Sequence, residues 1–479
     1  MTDFLLAAVV IPFLGAALTL VAPMRWTRYI CVSSAFLSFA AVVALLVLYW
    51  TAGRQGFTAP VWTVAGVTIW GVTGDDLSVL VAFAVGMVGA LICLYSVGYM
   101  TPENKEHPDV GRPRYFFFMQ VFVGAMAGLV FSSTITGELF FYELTGLCSW
   151  GLIGYYEKEK GLAGALTELI LTHLSSLGLY FGAAVLFVET GSFSLAAISD
   201  VEGWPKAAIL LGILIAGWGK SAQFPFYTWL PKAMEAPTPV SAYLHAGSMV
   251  NIGVYIFARG IVSAGTVPEI VGVVGALAAI FTLVFAFALY FPQKDIKGLL
   301  VYSTIAQLSY IFLGLSFAAL GGPLGYDGGV AHLFNHAISK SLFFLIAGSF
   351  SYSAGTRMMP RLTGVITRMP VVGFGFAVAA LAIAGVPPMN LFFSKFAIFL
   401  GGFEASKAHP WLLVLVLIAI AEAVGTFAWF TWQFGTIGFG SPSEAVAESK
   451  PVAPSMSTAI VALSVLALVT GFVPLMWLS

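Results

Sequence analysis

Residues 209–226 read ILLGILIAGWGKSAQFPF, a run apolar enough to cross a bilayer that carries Lys220 and closes on Pro225. Pro231, Pro237 and Pro239 follow, and His245 comes in the next apolar run. A charge at the bilayer centre costs about 2.5–3.5 kcal/mol on insertion scales, so one that stays there usually lines an ion path or meets a partner. The prolines break the helix, and non-helical backbone at membrane depth is tolerated only where protein buries it or it lines a watery cavity. This stretch therefore predicts a broken transmembrane helix beside a translocation site.

Composition extends that reading to the whole chain. Of 479 residues, 59% are hydrophobic and 9% charged, against about 25% charged in an ordinary soluble domain. Mean hydropathy is +0.95. The chain reads as an all-α polytopic membrane protein, which excludes a soluble redox enzyme. A net charge of −1 gives no case for nucleic acid. Cys31, Cys93 and Cys148 stand alone in apolar runs and read as small buried hydrophobes. The first apolar run, residues 4–21, follows Asp3 and has no basic flank, so it reads as a retained span and not a cleaved signal peptide.

At roughly 20 apolar residues per span, the sequence predicts fourteen, near 4–22, 27–50, 76–100, 115–132, 134–156, 164–188, 207–229, 238–258, 267–292, 298–320, 328–353, 371–402, 411–435 and 457–478. Residues 51–75, with Trp62 and Trp70 among Val and Thr, read as a hairpin at the interface. No linker divides the chain, so residues 1–479 form one domain. Fourteen of the 21 Lys and Arg residues fall in odd-numbered loops and four (Arg54, Lys206, Arg259 and Lys407) in even-numbered ones. The positive-inside rule then puts the odd loops in the cytoplasm and both termini outside. The other three, Lys220, Lys340 and Lys395, lie within spans.

The awkwardness repeats. The seventh span has Lys220 beside a proline, and the twelfth has Pro387-Pro388 and then Lys395. Interrupted segments at matching places in two halves point to a site built from an inverted repeat, here roughly 115–258 and 267–435.

Ten ionisable side chains are assigned to the spans: Glu143, Glu168, His173, Lys220, His245, His332, His336, Lys340, Lys395 and Glu422. A single binding pocket would concentrate them, whereas these spread through the chain. Glu143 is the natural counter-charge for Lys220. The pair reads either as a static element of packing or as a switch. Burial disfavours an ammonium and a nearby carboxylate favours it, so withdrawing the carboxylate would make Lys220 release its proton. His332, His336 and Lys340 recur every four residues on one helical face. With no acidic ligand there and no His-Glu-x-x-His, a proton relay fits better than zinc. Glu168 and His173 are five apart, off a shared face, and are the weaker candidates. The role of Glu422 stays open. The sequence has no Walker loop, dinucleotide fingerprint, haem-binding Cys pattern or serine elbow. No cofactor or metal is expected, and the chain either exchanges ions down a gradient or is driven by another subunit.

Gly219-Lys220-Ser221-Ala222-Gln223-Phe224-Pro225, continuing through Trp229-Leu230-Pro231 and Ala233 to His245, resembles the proton-conducting antiporter-like subunits of respiratory complex I, Mrp-type cation/proton antiporters and membrane-bound nickel-iron hydrogenases. Phe141-Tyr142-Glu143-Leu144 resembles that family's fifth-helix glutamate motif. His332-Leu333-Phe334-Asn335-His336 with Lys340 resembles its histidine helix, and Gly385-Val386-Pro387-Pro388-Met389-Asn390 with Ser394-Lys395 its broken twelfth helix. The resemblance implies a half-channel at Glu143 and Lys220, lateral transfer through His245, His332, His336 and Lys340, and a terminal exchanger at Lys395. It also implies other membrane subunits as partners, further antiporter-like ones among them, with H+ as the ion and Na+ as a further candidate. Leu391-Phe392 stands where the family usually has Gly-Phe, which puts the break near Lys395 in question. Tyr227 replaces a frequent histidine. With the last span ending near residue 478, the long lateral helix of the largest complex I antiporter-like subunit is not expected.

Two rival readings stay open at this point. A stand-alone transporter for a cation or small solute predicts a compact substrate pocket and transport by the purified chain. A non-conducting membrane scaffold predicts that Lys220 and Glu143 are dispensable.

Overall fold

The computed structural model describes residues 1–109 and 111–478. Each expected span coincides with a helix or a broken pair of helices. Inside a bilayer the backbone must satisfy its own hydrogen bonds, and helices do this segment by segment. The first six are α1 (Thr2–Val21), α2 (Met24–Thr51), α3 (Asp76–Tyr99), α4 (Pro113–Val130), α5 (Ile135–Ile153) and α6 (Glu159–Thr190). Between α2 and α3, β1 (Phe57–Val64) and β2 (Val67–Gly74) form the expected hairpin, antiparallel with Trp62 opposite Trp70. It docks on the α4–α5 turn: Ser133 N donates to Gly71 O at 2.9 Å and Thr134 Oγ1 to Ile69 O at 2.8 Å.

The seventh span departs from its expected bounds. Its helix, α7 (Gly203–Lys220), stops at Lys220 itself. Ala222 takes a positive φ of 49° and the Phe224–Pro225 peptide is cis. Short turns follow, with α8 (Trp229–Lys232) and α9 (Thr238–Ala242) among them. A π turn at Tyr243–Gly247 carries His245 and leads into α10 (Met249–Ala264). Arg259, expected in a loop, is therefore inside a helix, and only 4% exposed.

Next come α11 (Glu269–Ala288), α12 (Ile296–Ala319), α13 (Leu324–Ala354) and the short α14 (Val365–Arg368). The twelfth span is two helices, α15 (Pro370–Ala384) and α16 (Asn390–Ala405), with a cis Pro387–Pro388 peptide between them. Gly385, at φ 75°, supplies the left-handed turn that ends α15. Leu391 is buried in the first turn of α16 and does not take positive φ. The glycine that the family usually carries there is thus not needed for this break. The chain closes with α17 (Leu412–Gly438), α18 (Glu444–Ala447), α19 (Pro454–Val469) and α20 (Val473–Leu478).

Burial orders these helices around α13, which packs on α16, α12, α15, α3 and α19. The apolar window of α13 is wholly buried, and those of α12 and the α9–α10 segment nearly so. By contrast, α6 exposes Leu162, Leu166, Ile170, Leu174, Leu177 and Phe181 on one face, as expected of a helix against lipid. Helices of low hydropathy such as α13 and the α9–α10 segment are therefore central and the strongly apolar faces peripheral, the reverse of a soluble protein.

Close approach fixes α6 against α7. A Cβ on Gly178 would lie 2.3 Å from Gly212 O, and one on Gly219 only 1.7 Å from Ser175 Oγ. Small residues let membrane helices touch backbone to backbone, and here the contact sets Lys220 beside the interior face of α6.

Candidate functional site

Lys220 is fully buried. Its ammonium sits 4.5 Å from the Tyr142 ring centroid and takes no protein hydrogen-bond partner. A Cβ on Gly146 would lie 3.2 Å from Lys220 Nζ, so the glycine makes room for the side chain. The Tyr142 hydroxyl donates to Ala216 O at 3.0 Å and shares a 2.9 Å hydrogen bond with Ser175 Oγ. These contacts tie α5, α6 and α7 together around the lysine.

The expected contact between Glu143 and Lys220 is not made: no ion pair joins them among the described residues. Glu143 turns outward, with both carboxylate oxygens 3.2 Å from His173 Nδ1 and a further bond from Ser176 Oγ. The His173 side chain is 58% exposed. Glu168, the weaker candidate by spacing, is fully buried on α6 and accepts from Thr172 Oγ1 at 3.2 Å. Thr172 Oγ1, its donor, lies beside the same Gly146 position as Lys220 Nζ, which puts Glu168 on the lysine's side of α6. Both departures have one cause. Lys220 lies against the inward face of α6, where Glu168, Thr172 and Ser175 project, whereas His173 is off that face and draws Glu143 to the periphery.

His245 is fully buried between the rings of Trp229 and Phe344, at 6.1 and 5.6 Å, with neither nitrogen bonded to protein. On α13, His332 Nδ1 lies 2.9 Å from Ser394 Oγ and its Nε2 3.1 Å from Gln307 Oε1. His336 is buried with both nitrogens unpartnered by protein. Lys340 Nζ donates to Leu300 O at 3.2 Å and to Ser303 Oγ. Four residues of helix advance about 6 Å, so these three groups form a ladder along the central helix.

At the second break, Lys395 Nζ donates to Ile383 O at 3.3 Å, across the interruption, and sits 5.0 Å from the Tyr310 ring centroid. Glu422, left open by the sequence, is buried and accepts from the Tyr310 hydroxyl and from Thr426 Oγ1, the latter at 2.6 Å. Its charge acts on Lys395. Asn335 and Asn390 lock α13 to α16: each side-chain amide donates to the other's backbone carbonyl, at 2.9 and 3.2 Å.

Another buried group escaped the sequence reading although it lies within the fifth span. Glu138 is fully buried, and neither carboxylate oxygen has a protein partner. Arg259, on the neighbouring α10, acts on it electrostatically and donates two hydrogen bonds to Asp75, one of them 2.9 Å long. Asp75 also caps α3, accepting from Ser78 N at 2.9 Å. Burial pushes the Asp75 carboxyl up, but Arg259 and Ser78 outweigh it and hold the group down at about 2. Its contribution to stability is therefore present above the ordinary carboxylate range and fades as pH falls towards 2.

Two interrupted helices, a central histidine-lysine helix and ionisable groups strung across the bundle define a class: polytopic helical membrane proteins with a buried polar axis. The chain belongs to the NADH:quinone oxidoreductase/Mrp antiporter transmembrane family, whose pattern matches residues 132–421. Residues 62–116 also match the N-terminal region of NADH-ubiquinone oxidoreductase (complex I) chain 5. A Na(+)/H(+) antiporter subunit A1 of Staphylococcus aureus strain MRSA252 is 33% identical over 427 residues, 84% of this chain and 52% of that protein. The corresponding protein of strain JH9 matches to the same extent. A chain in the structure of the Mrp complex from Dietzia sp. DQ12-45-1b superposes with a TM-score of 0.84 at 29% identity, over 98% of this chain and 50% of that one. The chain spans about half the length of the curated relatives it matches.

Proposed function

We propose that this chain translocates protons as a subunit of a multi-subunit membrane complex and takes part in exchanging them for Na+. The observation that carries the reading is the set of buried ionisable groups spread over both interrupted helices and α13, which we order as Glu168 and Lys220, then His245, then Lys340, His336 and His332, then Lys395 with Glu422. Burying so many charges is costly for packing alone. Titratable groups held in series, several with hydrogen-bonding atoms that no protein group uses, suit transfer through intervening water. The relatives named as Na+/H+ antiporter subunits favour the same reading.

In this account α4–α10 and α11–α17 are two inverted repeats, each with its own interrupted helix. Lys220 lies five residues before the first cis-proline and Lys395 seven after the second, so the two lysines take opposite sides of their breaks. Lys220 exchanges with Glu168. Glu143 and His173, facing outward, meet a neighbouring subunit, because a polar pair exposed at membrane depth needs a protein cover. The odd-numbered loops face the cytoplasm, and Lys395 delivers protons to the opposite face.

The test is translocation in proteoliposomes with pH and Na+ dyes inside, using the chain purified with its membrane partners and the chain alone. The assembled complex moves both ions and the isolated chain does not exchange them. Full exchange by the isolated chain would establish the stand-alone transporter instead.

A further inference from the structure

A second polar region lies on the even-loop face, lined by the hairpin and by residues of the first repeat. Here a cavity of about 550 Å³ is bounded by the hairpin, the α4–α5 turn and the end of α10. Its walls carry Ser132, Ser194, Ser199 and Ser263, and Asp75 and Arg259 also line it. Arg259 is nearly fully buried, and its guanidinium fork is held by Asp75 and by the Tyr255 hydroxyl, the latter at 3.0 Å. Beyond it lies Glu138, a buried carboxyl that hydrogen-bonds to nothing in the protein. Glu138 and Tyr142 are four residues apart and so share one face of α5, and Tyr142 is the residue in contact with Lys220.

From this arrangement we propose that the first repeat has its own opening to the even-loop face, in which Glu138 carries protons between the cavity and Lys220 and the Asp75–Arg259 pair is the barrier that closes it. The proposal rests on proton conduction through Lys220 and adds a route to it. Glu138 takes a proton from the cavity and gives it to water on the inner side, and the water passes it along about two turns of α5 to the neutral Lys220 amine, which lies beside Gly146. A fixed guanidinium in a narrow polar passage repels protons, and Asp75 keeps this one in place. The other titratable groups facing the pair are Tyr49 on α2, Tyr255 on α10 and Tyr326 at the start of α13.

The test is passive proton leak in proteoliposomes holding the assembled complex, after an acid step on the even-loop face. The double variant Asp75→Asn with Arg259→Gln removes both charges of the pair at once and keeps a side chain able to cap α3. Its leak rises about tenfold, the change expected when a barrier worth one pK unit is removed. Adding Glu138→Gln returns the leak to the wild-type level. A leak unchanged in the double variant, or one that persists with Glu138→Gln, overturns the proposal. Should the double variant fail to assemble, infrared difference spectra decide. A carboxylic C=O band absent in Glu138→Gln responds when pH is stepped on the even-loop face alone, and a band that stays silent overturns the proposal. Lys220→Ala separates the two levels: if that variant still translocates protons normally, the underlying reading fails, whatever the leak does.

Discussion

Lys340→Met in the assembled complex abolishes proton translocation, lowering the flux by about a hundredfold or more, the scale on which removing a positioned proton-transfer group acts. Lys340 is the first group of the α13 ladder reached from His245, and methionine keeps its length and apolar stem but can hold no proton. The fold survives the change. Leu300 O and Ser303 Oγ lose a donor, which costs about 1–3 kcal/mol, while an expensive buried charge is removed at the same time. Flux by pH dye, with assembly checked by size, separates loss of conduction from loss of the complex. A flux near wild type would mean that the ladder is structural.

Lys395→Met has the second large effect. The ammonium bridges the break by bonding Ile383 O, and Glu422 is the carboxyl that acts on it. Without the lysine, a proton arriving at His332 meets at the second break only Glu422, whose carboxyl is already held by Tyr310 and Thr426, so net translocation stops even though the α13 ladder is intact. Glu422→Gln is milder. The Gln retains a carbonyl oxygen for Tyr310 or Thr426, and Lys395 loses its counter-charge but keeps its bond to Ile383. Steady-state translocation therefore falls to background for Lys395→Met and only partly for Glu422→Gln. Equal losses in both would make Glu422 itself an obligatory carrier.

The sequence carried the fold well because its signals are strong ones. Twenty-residue apolar runs and the Lys220 and Pro387-Pro388 interruptions have few alternative explanations in a chain this hydrophobic. The alignment on α13 was legible for a similar reason, since His332, His336 and Lys340 share one helix and spacing alone sets it. What spacing could not give is which helix face meets which. Glu143 looked like the partner of Lys220 by residue type, but the choice among Glu143, Glu168 and Glu138 depends on how α5 and α6 rotate against α7. That rotation is set by backbone contacts such as Gly178 with Gly212 and Gly219 with Ser175. Arg259 was assigned to a loop because a cationic residue near the end of an apolar run is usually where a span stops. Its partner Asp75 is 184 residues away, beyond any local pattern. Glu138 did sit within a predicted span, and only its proximity to Arg259 gives it meaning.

The central claim is that protons pass through this chain, and Lys220 is where the first repeat would hold them. Its most direct test is ion translocation by the intact complex in proteoliposomes, wild type against Lys220→Ala, with pH and Na+ dyes inside. The account predicts that the pH signal is lost while the complex stays assembled. An unchanged pH signal would contradict it and place the proton route in another subunit.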